Sequence, residues 1–142
     1  KFSHKLNFIA EMTKHFSQRQ PSRSILVGDL NIAPLPEDVW STRQLRNTVS
    51  HTAIERENLL VLIEQGGWTD SVRAHFGPKE VLFSWWSYRA RDWVASNRGR
   101  RLDHIWVSRD IASKVEAVTI ESVMRGAEKP SDHVPLTITL QL

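Results

Sequence analysis

The chain of 142 residues contains no cysteine, which excludes disulfide frameworks and thiolate metal sites. Such a composition is typical of a reducing compartment, and we expect a cytoplasmic location. Long apolar runs are also missing, since no stretch approaches the roughly 20 residues that a membrane-spanning helix needs. The amphipathic residues 1–12 lack the apolar centre of a secretory signal. With 40% apolar and 25% charged residues, the composition is that of an ordinary globular domain.

The excess of positive over negative charge is small as well, because the formal net charge is only +3. Its distribution is uneven, however: the segment from Arg89 to Arg101 holds five arginines and a single acid, Asp92. Three of the six tryptophans lie in or beside this segment: Trp85, Trp86 and Trp93. A local basic and aromatic segment favours contacts with phosphate groups over a general attraction to anions.

The spacing of apolar residues predicts a layered α/β or α+β domain, with mostly sheet toward the C-terminus. Residues 4–18 and 51–68 have helical spacing. In the second segment Thr52 and Glu55 have the spacing of a capping box, and Ile54 is expected on the buried face. Residues 25–27 form an unbroken apolar run, typical of a strand covered on both faces. Further strand patterns cover residues 80–86, 101–107, 114–122 and 134–141. No repeat and no linker interrupts this order.

Polar residues interrupt the apolar strand patterns at three places. Asp29 and Asn31 are two apart after the first strand, so on extended backbone both would point to the same side. Asp103 lies within a strand pattern, where an ionised carboxylate needs a partner. Asp132 and His133 precede the last strand. Each case also has a plainer explanation, such as turn chemistry or pairing with a nearby arginine. Together, carboxylates, an amide and an imidazole at strand ends suit hydrolysis of a phosphodiester.

Four motifs combine these residues with the basic segment: GDLNI (residues 28–32), SWWSYR (84–89), NRGRRLDHI (97–105) and KPSDHVPL (129–136). In this order they resemble the C-terminal half of bacterial exonuclease III. That enzyme belongs to the Mg²⁺-dependent apurinic/apyrimidinic endonuclease branch of the endonuclease/exonuclease/phosphatase superfamily. GDLN and SDH also occur in relatives that act on lipids, inositol phosphates or DNA in general. The aromatic and arginine-rich motifs select the DNA-repair branch.

The resemblance implies that residues 1–142 are the C-terminal portion of an endonuclease/exonuclease/phosphatase domain. The fold class would be α/β (α+β), half of a four-layer sandwich of DNase I-like type, with a mostly antiparallel sheet and helices packed on one face. The N-terminal half, which supplies an asparagine and a glutamate for the metal, would be absent. We therefore expect the fragment alone to be inactive. It should dimerise or need its N-terminal half, because an uncovered sheet exposes apolar surface.

The resemblance also implies a role for each polar residue at the strand ends. His133 would be the general base that activates water, and Asp103 the carboxylate that orients this histidine. Asp29 would orient the nucleophile or protonate the leaving oxygen, and Asn31 would hydrogen-bond the scissile phosphate. Asp132 would lie at the metal side of the site, because hard cations prefer oxygen ligands. The expected cofactor is Mg²⁺, with Mn²⁺ as a possible substitute.

The expected partner is double-stranded DNA, at abasic sites and 3′ ends. Trp85 would line the pocket for an extruded abasic sugar. Arg89, Arg91 and Arg98 would contact the DNA backbone, which makes binding depend on salt. Asn97 begins the NRG motif and is interpreted as a DNA contact or as a turn residue only.

Two other functions remain open at this point. The first is a phosphodiesterase or phosphatase of the same superfamily that acts on a lipid or inositol phosphate, and the arginine-rich aromatic segment argues against it. The second is a non-catalytic DNA-binding or partner-binding module that kept the scaffold. The presence of all the expected acids argues against this second alternative.

Overall fold

Five α-helices and seven strands make up the computed structural model, which describes all 142 residues. The helices are α1 (Phe2–Gln18), α2 (Thr42–Leu45), α3 (Ala53–Gln65), α4 (Ser71–Phe76) and α5 (Trp93–Ser96). The strands are β1 (Ile25–Asp29), β2 (Trp68–Asp70), β3 (Trp85–Trp86), β4 (Gly99–Arg100), β5 (Asp103–Ser108), β6 (Val115–Ile120) and β7 (Leu136–Leu140). Short 3-10 helices cover Pro36–Asp38, Arg109–Lys114 and Ser122–Gly126. None of the helices combines the length and the apolar character needed to cross a bilayer.

All strand pairs are antiparallel, and they form three sheets. The central sheet has the order β1-β5-β2, while β3 pairs with β4 and β6 pairs with β7. This architecture confirms the predicted α/β class with a mostly antiparallel arrangement of strands.

The two faces of the central sheet are covered by different layers. On one face, α1 and α3 enclose a cluster of six buried residues: Ile9, Ile32, Leu59, Leu62, Trp68 and Trp106. On the other face, Ile105 of β5 packs with Val118 of β6, and with the partly buried Leu136 and Ile138 of β7. Because neighbouring residues of a strand point to opposite faces, Trp106 and Ile105 belong to different layers. Helices α1 and α3 thus cover one face of this sheet, while Val72 of α4 packs with Ile105 on the other face.

Strand β1 differs from the prediction of a strand covered on both faces. It lies at the edge of the central sheet, and Ile25 and Val27 are 49% and 66% exposed. Only the opposite side of the strand is covered, because Leu26 packs against the cluster under α1 and α3. An unbroken apolar run cannot distinguish a buried strand from an edge strand with an uncovered face.

The segment predicted as a strand over residues 80–86 forms a regular strand only at Trp85–Trp86. Its backbone N–H groups bind elsewhere: that of Leu82 donates to the Glu37 carbonyl at 3.1 Å, and that of Ser84 to the Arg100 carbonyl at 2.9 Å. Hydrogen bonds to a 3-10 helix and to the short strand β4 replace a continuous ladder.

Helix α3 begins as predicted, because Thr52 and Glu55 form a capping box. The prediction that Ile54 is buried was wrong, since its side chain is 48% exposed. The Glu55 side chain is fully buried instead, and it accepts hydrogen bonds from the Ser50 and Thr52 backbone and from Lys5 of α1. At the start of α3, the capping residue Glu55 is therefore buried, and Ile54, which the apolar pattern predicts to be buried, is exposed.

A network of buried charges joins the parts of the chain that lead into β5. The Asp38 carboxylate accepts hydrogen bonds from Arg101 Nε at 2.7 Å and from the guanidinium of Arg73 in α4. Arg101 also pairs with Asp70 at 2.9 Å. Burial alone would raise the pKa of the Asp38 carboxyl, but the charges and hydrogen bonds of Arg101 and Arg73 hold it below its ordinary value. Asp38 therefore stays ionised inside the protein.

We expect Asp38→Ala to lower the free energy of unfolding by about 3–5 kcal/mol, because it leaves Arg101 and Arg73 buried without their partner. Urea denaturation followed by circular dichroism measures this loss. The matched control is Glu64→Ala, which removes an exposed partner of Arg109 and should cost about 0–1 kcal/mol. Equal losses in the two variants would contradict the structural role of Asp38.

Candidate active site

The pairing of β1 with β5 places two carboxylates side by side. Asp29 lies directly opposite Asp103 in the antiparallel register, so both side chains project from the same face of the central sheet. The two residues are far apart in sequence, and only this register brings them together. Their side chains remain partly exposed, at 38% for Asp29 and 23% for Asp103.

His133 reaches the two carboxylates from the segment before β7. An isolated antiparallel bridge between Trp85 and His133 fixes its backbone. Its Nδ1 lies 2.8 Å from Asp103 Oδ2, and its Nε2 lies 3.9 Å from Asp29 Oδ2. The imidazole is thus hydrogen-bonded to one carboxylate and faces the other across a gap too wide for a direct hydrogen bond.

The hydrogen bond to Asp103 determines the state of the imidazole ring. An ionised carboxylate only accepts hydrogen bonds, so Nδ1 must donate its proton to Asp103 Oδ2. In the neutral ring, Nε2 then carries no proton and points toward Asp29 with a free lone pair. This is the arrangement of a general base held by a carboxylate.

The surroundings of His133 favour its protonated form. Burial would lower the pKa of the imidazole, but the hydrogen bond and charge of Asp103, with the charges of Asp29 and Asp132, outweigh burial and raise the pKa above its ordinary value. Three carboxylates around one imidazole thus make it a stronger base than a free histidine.

The turn after β1 differs from the extended backbone assumed for Asp29 and Asn31. Asn31 has a left-handed conformation with φ of 54°, and its backbone N–H donates to Asp29 Oδ1 at 2.9 Å. The prediction of extended backbone from Asp29 to Asn31 was therefore wrong. A side-chain turn joins the two residues instead, and Lys5 Nζ of α1 holds the Asn31 carbonyl at 3.0 Å.

The model of the endonuclease/exonuclease/phosphatase family matches residues 8–133, which is most of the chain. The chain belongs to the endonuclease/exonuclease/phosphatase family. The match ends at His133 and thus includes all five polar residues predicted for the site.

Similar proteins place the chain near the DNA-repair members of the family. An exodeoxyribonuclease of Bacillus subtilis is 33% identical over 96% of this chain and 50% of its own length. The structure of an AP endonuclease from Archaeoglobus fulgidus superposes with a TM-score of 0.89 at 27% identity, over 99% of this chain and 55% of the other. A 3′ phosphatase, NExo from Neisseria, bound to a product DNA hairpin, superposes with a TM-score of 0.88 at 28% identity, over the same shares. The chain spans about half the length of each of these three relatives.

Trp85 is tied to the carboxylate predicted on the metal side of the family's site. Its indole Nε1–H donates to Asp132 Oδ2 at 2.9 Å, and the Arg100 guanidinium lies 5.2 Å from the centre of its ring. Trp85 is half-buried, whereas Phe83 and Trp86 are buried in the core. Of these three aromatic residues, only Trp85 thus lies partly at the surface, beside Asp132.

The residues predicted to contact DNA differ in their surroundings. Arg89 and Arg91 are exposed, while the exposed Arg98 packs over the ring of Trp40 at 4.6 Å. Asn97 ends α5 in a left-handed conformation with φ of 42°, and its Oδ1 accepts a hydrogen bond from the indole of Trp86 at 3.0 Å. Asn97 is therefore a turn residue whose amide oxygen is bound within the protein.

Sequence reasoning missed two residues that hold this site together. Lys5 lies on a helix far from the motifs, and its contact with Asn31 has no signal in the local pattern. Ser84 lies within the SWWSYR motif, and its hydroxyl hydrogen-bonds the Asp103 carboxylate at 2.7 Å. Nothing distinguishes a buried serine that binds a site residue from any other serine in a strand pattern.

We expect Asp103→Asn to lower the pKa of His133, because the amide removes the nearest negative charge that stabilises the imidazolium. A pH titration of the His133 ring signals by NMR measures the shift. The control is Glu116→Gln, which neutralises an exposed acid on β6 and should leave the titration unchanged. An unchanged or higher pKa in Asp103→Asn would show that Asp103 does not govern this histidine.

Proposed function

We propose that the full-length protein carrying this chain is a Mg²⁺-dependent DNA-repair nuclease. It hydrolyses phosphodiester bonds beside abasic sites, as an apurinic/apyrimidinic endonuclease, and removes nucleotides from 3′ ends as a 3′–5′ exodeoxyribonuclease. The observation that supports it most directly is the hydrogen bond between His133 Nδ1 and Asp103 Oδ2, with Asp29 on the open side of the ring. The similarity to an exodeoxyribonuclease and to an AP endonuclease supports the choice of DNA.

The reaction uses the unprotonated Nε2 of His133. This nitrogen takes a proton from water as the water oxygen attacks phosphorus, and Asp103 stabilises the imidazolium that forms. The bond from phosphorus to the leaving oxygen then breaks, and that oxygen is protonated. Asp29 faces His133 Nε2 with its Oδ2 at 3.9 Å and, as a carboxylate, orients the nucleophile; in its protonated form it would supply the proton to the leaving oxygen. Asn31, held beside Asp29, hydrogen-bonds the scissile phosphate.

The carboxylates of the chain have the donor chemistry that Mg²⁺ requires. This cation binds proteins through one or two carboxylate oxygens and keeps water on its other positions, and Mn²⁺ accepts the same ligands. Asp132 would hold the metal at this site, together with an asparagine and a glutamate expected from the N-terminal half. A bound divalent cation offsets the negative charge that develops on the phosphoryl oxygens.

Double-stranded DNA would lie along the arginines beside the site. The exposed Arg89 and Arg91, with Arg98, contact its backbone, and Asn97 shapes the turn that presents Arg98. Trp85 lines the pocket for the abasic sugar next to Asp132. Because the chain contains no cysteine, we also propose a cytoplasmic location.

We expect His133→Ala in the full-length protein to lower kcat/KM for incision of an abasic duplex by about 10²–10⁴-fold, because the base is lost. Asp103→Asn should reduce it as well. The control is His75→Ala, which removes an exposed histidine of α4 and should leave activity unchanged. Activity that survives both Asp103→Asn and His133→Ala would end this mechanism.

Two other outcomes would favour the alternative functions. Preference for a phospholipid head group or an inositol phosphate over abasic DNA would favour the alternative substrate class. DNA binding without turnover would favour the non-catalytic module.

The chain spans about half the length of its relatives, and we propose that residues 1–142 form the C-terminal portion of the domain. Strand β1 lies at a sheet edge with Ile25 and Val27 exposed, and β7 pairs on one side only. Free edges and apolar faces favour association with further strands. We therefore propose that the N-terminal half covers these edges and that, without it, the fragment dimerises.

We expect the isolated chain to be inactive and to self-associate with rising concentration, as measured by light scattering after gel filtration. Val27→Thr keeps the shape of the side chain but adds a hydroxyl, so it should weaken association. The control is Val123→Thr, at a valine that is also exposed but lies outside the sheets. A monomeric chain that incises abasic DNA with Mg²⁺ would refute the proposal that half of the domain is missing.

A further inference from the structure

The hydroxyl of Ser84 lies beneath the candidate active site. Ser84 is fully buried, and its Oγ lies within hydrogen-bond distance of three groups. These are the backbone nitrogen of Leu102 at 3.0 Å, the backbone nitrogen of Asp103 at 3.1 Å, and Asp103 Oδ2 at 2.7 Å. A single side chain thus contacts both the backbone and the carboxylate of Asp103.

The directions of these hydrogen bonds follow from chemistry. A serine hydroxyl has one proton to donate and two lone pairs that accept. The backbone N–H groups of Leu102 and Asp103 can only donate, so they occupy both lone pairs. The hydroxyl proton must therefore point to Asp103 Oδ2. That oxygen also accepts the proton of His133 Nδ1, so it receives two hydrogen bonds with defined directions.

The backbone of Ser84 binds the two segments that carry Asp103 and His133. Its N–H donates to the Arg100 carbonyl at 2.9 Å, and its carbonyl accepts from the Val134 N–H at 2.8 Å. Val134 directly follows His133, so Ser84 anchors the histidine through the backbone and the carboxylate through its hydroxyl. Both members of the pair are held by one residue without solvent contact.

From this arrangement we infer that Ser84 is a positioning residue for the phosphodiester hydrolysis, and that its hydroxyl fixes the Asp103 carboxylate in the orientation that receives the His133 Nδ1 proton. The inference rests on the proposed function for the reaction itself. It concerns a residue that touches neither water nor substrate and acts only through Asp103. Without the hydroxyl, the carboxylate can rotate, and the imidazole loses the partner that keeps Nε2 free.

A purely structural role for Ser84 makes a different prediction, and the chain contains a matched control. Ser71 is also buried, and its hydroxyl donates to the backbone carbonyl of Ile105, on the same strand as Asp103, at 2.6 Å. It touches no residue of the candidate site. Removal of either hydroxyl should lower stability, and more so for Ser84 because the N–H groups of Leu102 and Asp103 lose their acceptor. Only removal of the Ser84 hydroxyl should also affect the reaction.

The test uses the full-length protein with Ser84→Ala, Ser84→Cys, Ser84→Thr and Ser71→Ala, on abasic duplex DNA. We expect Ser84→Ala to lower kcat roughly 10–100-fold with little change in KM, because one hydrogen bond to a charged group is lost. Ser84→Thr keeps the hydroxyl and should restore kcat, and Ser71→Ala should leave it unchanged. Ser84→Cys keeps the size with a weaker donor and should fall between serine and alanine. It serves in place of alanine if Ser84→Ala fails to fold.

A second measurement does not depend on activity. In protein with ¹⁵N-labelled histidine at fixed pH, the His133 ring should carry its proton on Nδ1 in the wild type. In Ser84→Ala or Ser84→Cys it should shift toward a mixture of both tautomers. Wild-type protein without nuclease activity would refute the proposed function, while the tautomer shift would still decide the role of Ser84. Unchanged ring signals and a kcat like that of Ser71→Ala would overturn the inference.

Discussion

The buried carboxylate of Asp38 constrains the parts of the domain that carry the candidate site. An ionised group without access to water requires nearby opposite charge, and Arg73 and Arg101 supply it from two different segments. A backbone hydrogen bond joins the same two residues, since the Arg101 N–H donates to the Asp38 carbonyl at 2.8 Å. Asp103 lies only two residues beyond Arg101, so this network holds the chain immediately before β5.

A second set of backbone hydrogen bonds holds the segment that contains His133. The Trp86 N–H donates to the Asp132 carbonyl at 3.0 Å, and the Val134 N–H donates to the Ser84 carbonyl at 2.8 Å. The backbone of His133 is therefore held on both sides by the segment that also holds Asp103. A base fixed in this way needs little reorganisation before a reaction, which is how rigid scaffolds lower barriers.

Predictions from sequence succeeded where the signal was local. The capping box of Thr52 and Glu55 starts α3 as predicted, because the interaction spans three residues of one helix turn. They failed where burial depends on distant segments. Ile54 is exposed while Glu55 is buried, since Lys5 from α1 reaches over to pair with this glutamate. No window of sequence around α3 contains that lysine.

The sequence by itself determined which chemical groups are available for a reaction and which family the chain resembles. Carboxylates, an amide and an imidazole in four motifs sufficed for that, because the motifs state residue types in a fixed order. Only the tertiary structure decided that Asp29 lies opposite Asp103, that Nδ1 of His133 is the nitrogen bound to Asp103, and that Ser84 lies behind this pair. Strand register and burial arise from contacts between segments far apart in the chain, and local sequence patterns do not determine those contacts.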